Sequence, residues 1–556
     1  MKFKKLLLVS LLAAMGVSAQ AQNVLAGGQV SGNIQMDGQI SRADSLIGSS
    51  DVPENLLMNA RADILYTNGN FSAGLRFEAY QNPMLGFNAA YKGQGIANYF
   101  VSYNGEKLGV TAGHFYEQFG NGMILRAYED RYLGLDNALQ GFTVRYRPVD
   151  GVTIKGVVGR QRCYWDFGSG LVRGVDAEVN LNSVVKALAE SKTHITLGGG
   201  FVSKYEPDES IPAVQPGYKL NLPLNVGAGS FRLDLNRGGW GLQAEYARKG
   251  QDPNIMNGYI YHPGEALFLS ASYSQKGFSA NIQAKRVDNM GFKSVRGQSG
   301  EMLYINYIPA ITKQHTYAFL TLYPYATQAT GEMGLTGDVI YKIKKGTLLG
   351  GKYGTDIHLN ASIITAIDTV QINNGVRGTE GYTSPFFGTG DPYYADATVE
   401  IAHKINSSNK FAFTYGYVLF DPIVEGHAGA VHHNNVFIGD YTWKINKKNV
   451  IRFEGELLLS DSKYTPEVDD KRCGDWVMGM VEYNFTSAFF VALSDQYCYH
   501  DGNNASYPQI SMGYTHGSTR LQVGYGKQRE GIICIGGVCR QVPASNGLTF
   551  SLTTSF

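Results

Sequence analysis

The sequence has no surplus of either charge. Its 48 Lys and Arg residues face 47 Asp and Glu residues in a chain of 556. Such a balance gives no electrostatic case for a polyanionic partner, so nucleic acid is set aside. Long apolar runs are equally scarce. Beyond residue 21 nothing approaches the 18 or so uncharged apolar residues of a membrane-spanning helix. Two classes remain: an exported soluble protein, or a β-barrel, since only helices and closed barrels satisfy every backbone polar group in lipid. Catalytic signatures are missing too. Neither G-x-S-x-G nor H-E-x-x-H occurs, and His114 with Glu117, or His500 with Asp501, are neighbours in sequence without forming a triad. The expectation is a protein that is not an enzyme and needs no cofactor.

What is present begins with the export signal. Lys2, Lys4 and Lys5 precede the apolar run "LLLVSLLAAMGV", and "AQA" at 19–21 supplies small residues for cleavage before Gln22. Residues 1–21 therefore read as a signal peptide and 22–556 as one barrel domain. Cleavage removes three lysines and no acids, leaving 45 basic against 47 acidic residues, a net charge of −2.

Sixty-eight glycines exceed the usual share of about 7%, and 36 tyrosines with 27 phenylalanines make the chain rich in aromatics. Tyrosine suits the aromatic girdles at membrane surfaces. Segment after segment alternates with period two, the mark of a strand with two different faces. In "FSAGLRFEAY", Phe71, Ala73, Leu75 and Phe77 oppose Ser72, Gly74, Arg76 and Glu78. In "IRFEGELLL", Ile451, Phe453 and Leu457 oppose Arg452, Glu454 and Glu456. Mid-strand charges fit a wet lumen inside a barrel whose apolar face meets lipid.

Tight turns at Asn68, Asn104, Pro148, Arg237, Gln275, Lys444 and Thr515 alternate with long segments at 82–95, 117–137, 206–217, 251–264, 360–392 and 529–546. Short turns in the periplasm and long extracellular loops are the pattern of outer-membrane barrels. The fold class is thus all-β: a single transmembrane antiparallel β-barrel of about 26 strands, in a range of roughly 20–26. A brief helix is expected near Val184.

The chain's last strand, "LTFSLTTSF", places Leu548, Phe550, Leu552 and Phe556 on one side and Thr549, Ser551, Thr553 and Ser555 on the other. A final alternating strand ending in Phe556, with Phe550 and Leu552 before it, is similar to the signal by which barrel-insertion machinery recognises its clients. Cys163, Cys473, Cys498, Cys534 and Cys539 all fall in or beside long loops, so one side of the membrane should hold all five. Counting outward from a turn near 485–488 sets Cys473 opposite Cys498, and Gly536 and Gly537 suit a hairpin turn between Cys534 and Cys539. Disulfides Cys473–Cys498 and Cys534–Cys539 are expected in an oxidising exported location, with Cys163 unpaired. No metal site is expected: "CIGGVC" lacks the spacing of zinc motifs, and His427, His432 and His433 read as solvated loop residues.

The densest charge lies in "HFYEQFGNGMILRAYEDRYLGLDN" at 114–137, the third long loop by this count. In porins a long third loop commonly folds inward and narrows the channel. Glu117, Arg126, Glu129, Arg131 and Asp136 are therefore the candidate pore-constriction residues, where facing charges set selectivity.

At "FYEQFGNGMILRAYEDRYLGLDNALQGF" and "YGKQREGIICIGGVCRQVPASNGLTF" the chain resembles a family of outer-membrane barrels from Bacteroidota, a domain of unknown function. The resemblance implies an integral location in a Gram-negative outer membrane and carries over no catalytic or ligand residue. The functions in view are a porin-like passive channel for small polar solutes, or a non-conducting accessory subunit of an envelope complex for export or outer-membrane assembly. The partners expected are outer-membrane lipid and, during biogenesis, the barrel-assembly machinery.

Overall fold

The computed structural model describes residues 27–54, 56–427, 429–463, 470–500, 503–535 and 538–556, with the backbone alone at 500, 503, 533–535, 538 and 539. The expected signal peptide, 1–21, lies outside the described residues. The first strands are β1 (Gln29–Arg42), β2 (Leu57–Asn68), β3 (Phe71–Asn82), β4 (Gly93–Asn104), β5 (Leu108–Phe115), β6 (Leu139–Tyr146), β7 (Val152–Cys163) and β8 (Asp166–Asn180). Then come β9 (Thr193–Tyr205), β10 (Asn225–Arg237), β11 (Trp240–Lys249), β12 (Gly264–Gln275), β13 (Phe278–Asp288), β14 (Gly331–Ile343), β15 (Thr355–Ile367) and β16 (Thr389–Lys404). The last are β17 (Asn409–Phe420), β18 (His432–Lys444), β19 (Val450–Ser460), β20 (Trp476–Asn484), β21 (Phe489–His500), β22 (Asn503–Ser506, resuming at Gln509–His516), β23 (Thr519–Gln528) and β24 (Ser545–Ser555).

Each strand pairs antiparallel with its sequence neighbours, and β1 closes the ring on β24, with Asn33 opposite Ser555 and Arg42 opposite Asn546. Phe556 and Gly32 exchange two backbone hydrogen bonds of 3.0 Å, so the final residue is part of the seam. Among the described residues the barrel thus has twenty-four strands, within the expected range but below 26.

The two faces of each strand separate as alternation predicts. On β3, Leu75 and Phe77 are 40% and 42% exposed whereas Arg76 and Glu78 keep 8% and 3%, which places the charges inside. The same outward apolar set continues through Phe142, Phe201, Phe231, Ile282, Phe413, Phe453, Leu493 and Leu521. Among the described residues helix is nearly absent. The short one expected near Val184 spans Leu181–Val184, capped by the Asn180 side chain, which accepts from Ser183 N at 3.2 Å. Among the described residues no helix is long and apolar enough to cross a membrane.

At one end of the barrel the connections run from two to twelve residues; at the other, ten of twelve have ten residues or more, and 289–330 is the longest with 42. All five cysteines belong to that second end. The segment read as a loop at 360–392 is partly strand, since β15 continues to Ile367 and β16 starts at Thr389.

The interior is not uniformly wet, and here the expectation of a polar lumen is corrected. The connections 116–138 and 289–330 fold inward and form an apolar core with part of the wall. Phe119, Met123, Ile124 and Leu125 pack with Phe292, Ile305 and Ile308 against Val157, Val172 and Val202. Glycine makes room for them: a Cβ on Gly174 would stand 2.9 Å from the Phe119 ring, and one on Gly416 would stand 2.4 Å from Leu320 Cδ2.

Candidate functional site in the divided lumen

The first inserted connection, 116–138, leaves β5, packs along the inner faces of β7–β9 and docks its tip on β11. Gly120 and Gly122 take φ of +53° and +87°, the left-handed region that glycine enters without a Cβ clash, and so present Asn121 at a sharp turn. Glu245 on β11 accepts both Asn121 N and Asn121 Nδ2 at 2.8 Å. Nearby, Arg232 on β10 donates to Asp176 on β8 at 2.8 and 2.9 Å.

The second, 289–330, starts and ends at one neck, where Asn289 N donates to Thr330 O at 2.9 Å and Met290 N to Ala329 O at 2.8 Å. It joins the first connection edge to edge. Arg126 N donates to Ile305 O at 2.8 Å, Tyr307 N to Gly122 O at 3.1 Å, and Asn306 Nδ2 to Met123 O at 2.8 Å. It then reaches β19, where Ala318 N and Phe319 N donate to the Glu456 carboxylate at 2.9 and 2.8 Å. His315 Nε2 stands 2.9 Å from Asp396 Oδ2 on β16. Together the two connections fill one side of the barrel.

The charged residues expected at a constriction divide between places. Glu117 accepts from Lys155 Nζ at 2.8 Å on the β7 wall. Arg126 sets its guanidinium 4.3 Å from the centre of the Tyr128 ring. Glu129, Arg131 and Asp136 come together, and the wall supplies partners that sequence reasoning missed. Asp136 accepts from Arg162 Nη1 at 2.6 Å and Arg76 Nη1 at 3.1 Å; Glu129 accepts from Arg76 Nη2 at 2.9 Å and from Arg61. Arg162 Nη2 donates to Glu78 at 2.6 Å, Arg76 Nε to Asp63 at 2.8 Å, and Arg131 Nη1 to Gln35 at 2.6 Å. Four guanidiniums thus face four carboxylates. The Arg162 and Glu78 side chains are each only 3% exposed, so removing either partner would strand a desolvated charge.

Beside this network a polar cavity of about 970 Å³ follows β22, β23, β24, β1, β2 and β3. Its lining includes Arg520 and Thr553 near the end of short connections, and Arg529, Arg540 and Ser545 at the other, so it runs the length of the wall. Every second residue of β24 contributes: Ser545, Gly547, Thr549, Ser551 and Thr553. Glu129, Arg131 and Asp136 line its opposite side, while Glu117 and Arg126 do not reach it.

The cysteine expectations fare differently. Cys534 and Cys539 oppose each other in a small hairpin, Gly531–Ile535 with Val538–Val542, but their side chains lie outside the described residues. Cys473 and Cys498 are not joined, which corrects the expected disulfide. The register sets Trp476, not Cys473, opposite Cys498. Cys473 lies three residues before that position, and the Cys498 thiol donates to its carbonyl oxygen at 3.8 Å instead. Burial pushes the Cys473 thiol up to about 12, with the Asp470 carboxylate adding to the shift. Cys163 stands at the end of β7, before a two-residue turn where Tyr164 has φ +59°.

Over residues 2–556 the sequence matches the model of a family of unknown function, DUF6029. The chain belongs to that family. No curated protein matches this DUF6029 member. Among solved structures it is similar to the P pilus usher (PapC) translocation pore, at 11% identity over 94% of this chain and 99% of that one, with a TM-score of 0.46. It is also similar to the siderophore receptor PirA from Pseudomonas aeruginosa, at 9% identity over 95% and 80% of the two chains (TM-score 0.40). A third is the ferric enterobactin receptor PfeA of the same organism with enterobactin bound, at 11% identity over 96% and 82% (TM-score 0.42). Likenesses this distant carry no information about cargo.

Proposed function

We propose that this DUF6029 member is an integral outer-membrane barrel that acts as a porin-like passive conduit for small polar solutes, without catalytic activity. The closed ring leaves no strand edge to satisfy in lipid, and its outward residues are apolar. A 12-residue strand rises roughly 40 Å, and at a tilt of about 40° it reaches about 30 Å along the barrel axis, the thickness of a hydrocarbon core. In this reading residues 1–21 are the export signal, and Phe550, Leu552 and Phe556 address the chain to the insertion machinery. The short connections face the periplasm and the long ones the exterior.

One observation carries the reading: the polar cavity that follows β23 and β24 from one end of the wall to the other. With one side of the lumen filled, that path suits small solutes. Its narrow side is the cluster of Glu129, Arg131 and Asp136, where facing charges would set ion preference.

Single-channel recording of the detergent-purified protein in planar bilayers tests this. Stable conducting steps are expected. Glu129→Ala should shift cation-to-anion preference, and Arg126→Ala, remote from the path, should leave it unchanged. A correctly folded but silent barrel would sink the conduit reading and favour the accessory subunit of an envelope complex, to be sought by pull-down.

A further inference from the structure

We propose that His432, Asp470 and Cys473, at the end of the barrel with long connections, form a site for one zinc-type divalent cation. His432 opens β18, whereas Asp470 and Cys473 come from the connection between β19 and β20. Sequence spacing conceals the group, because 38 residues separate His432 from Asp470 and antiparallel pairing brings them together. One ligand atom from each residue lies within 4.8 Å of the other two. Cys473 Sγ is 3.9 Å from His432 Nδ1. Tetrahedral zinc, with its sulfur at about 2.3 Å and nitrogen at about 2.0–2.1 Å, separates such a pair by about 3.6 Å. A shift of a few tenths of an ångström brings that pair to ligand spacing, and the Asp470 carboxylate, within 4.8 Å of both, closes on the ion by rotation of its side chain.

The donor set selects the ion. One imidazole, one thiolate and one carboxylate suit zinc, whereas magnesium and calcium want oxygen alone. His432 is 3% exposed and Cys473 1%, so an ion there would be withdrawn from solvent. The second ring nitrogen of His432, Nε2, is buried without a hydrogen-bond partner among the described residues. Such a group is costly unless something else recommends the histidine.

The surroundings fit a cation as well. Asp470 is held by Arg472, whose backbone N, Nε and Nη2 donate to it at 2.9, 3.0 and 2.8 Å. An ionised carboxylate offers about four lone-pair sites, so three donors leave one for a metal. Glu425 accepts from Arg472 Nη1 and Nη2 at 3.0 and 2.7 Å and offsets its charge. Two carboxylates and a thiolate against one guanidinium give −2, which a divalent ion neutralises. On binding, the Cys473 sulfur forms its bond to the metal as the S–H proton passes to water, with no oxidant or reductant involved. Tyr323 of the second inserted connection stacks on His432 at 5.1 Å and lies 5.0 Å from the Arg472 guanidinium. A bound ion would therefore fasten 470–473 beside Tyr323 of the second inserted connection.

The test uses the full-length protein in detergent, stripped with a chelator and titrated with Co²⁺. The expected result is a thiolate-to-cobalt charge-transfer band that saturates at one equivalent and is displaced by Zn²⁺. It should vanish in Cys473→Ser, weaken about tenfold or more in His432→Gln and Asp470→Asn, and persist in Cys498→Ser and Cys163→Ser. Heat-dependent gel migration reports folding of each variant. If Cys473→Ser does not fold, His432→Gln, which alters no sulfur, decides the matter. A wild-type protein without the band, or a band that survives these substitutions, overturns the site.

Discussion

Along β8–β13 the inward positions toward the long connections are Val172, Val202, Ala228, Ala247, Ala266 and Val287, none more than 1% exposed. Along β22–β24 and β1 the inward residues that line the cavity are Ser511, Gln522, Thr549, Ser551 and Gln35. The outward faces of both regions are alike and apolar, so the backbone rule is shared and the difference lies in what each inner wall meets. Valine and alanine make a dry seat for the inserted connections, where each buried Å² of apolar surface contributes about 25 cal/mol. Serine, threonine and glutamine make a wall that water can wet. Period two tells which residues point inward; only their chemistry tells whether the interior is filled.

The largest expected effect comes from abolishing the contrast. Replacing 292–328 by a short Gly-Ser linker uncovers the apolar wall and the Glu456 side of the lumen. Unitary conductance should rise several-fold in bilayers, and an unchanged conductance would show that the segment does not obstruct the lumen. Next in size is the contact between the first inserted connection and the open side. Asp136→Ala deprives Arg76 and Arg162 of a shared carboxylate and should cost about 3–5 kcal/mol, read as a lower unfolding free energy in urea. A loss under about 1 kcal/mol would mean that water enters the network.

The smallest concerns Lys293, within the second inserted connection. Burial pushes its ammonium down to about 8, against the pull of Glu301. An unfolded lysine titrates near about 10.4, so below pH 8 the folded segment carries the full cost of a buried charge, and the cost fades as pH rises from 8 to about 10.4. Protease cleavage within 289–330 should therefore slow between pH 7.5 and 10, by at most about tenfold per unit. Lys293→Met should remove that component, and an identical pH profile in the variant would refute it.

Much of this was legible in the chain. Alternation placed Arg76 and Glu78 inside and Leu75 and Phe77 outside, and charge density pointed to 114–137 as an inserted loop. What stayed hidden depends on contacts between distant segments. The stretches "MLYINYIPAI" and "TYAFLTLYPYA" of 289–330 are as rich in apolar and aromatic residues as an outward strand, since covering an inner wall demands the same side chains as facing lipid. Arg61, Arg76 and Arg162 could be seen as mid-strand or strand-end charges, but which loop carboxylate each would meet is set by the curvature of the closed sheet. His432 and Cys473 stay apart in the sequence for the same reason: alone, one reads as a loop histidine and the other as half of a disulfide, and only the folded connections bring Sγ within 3.9 Å of Nδ1.

The position of the long insertion also bears on how the ring closes. Thirteen strands precede 289–330 and eleven follow it, and the ring is sealed only when β24 meets β1, with Asn33 and Ser555 bonded across 522 residues. Before that closure the insertion can settle against the wall from the open side as well as from the barrel end; after it, only the end is left. The pairing that seals the ring is also the most non-local in the chain, the kind of contact whose loop-closure entropy slows folding.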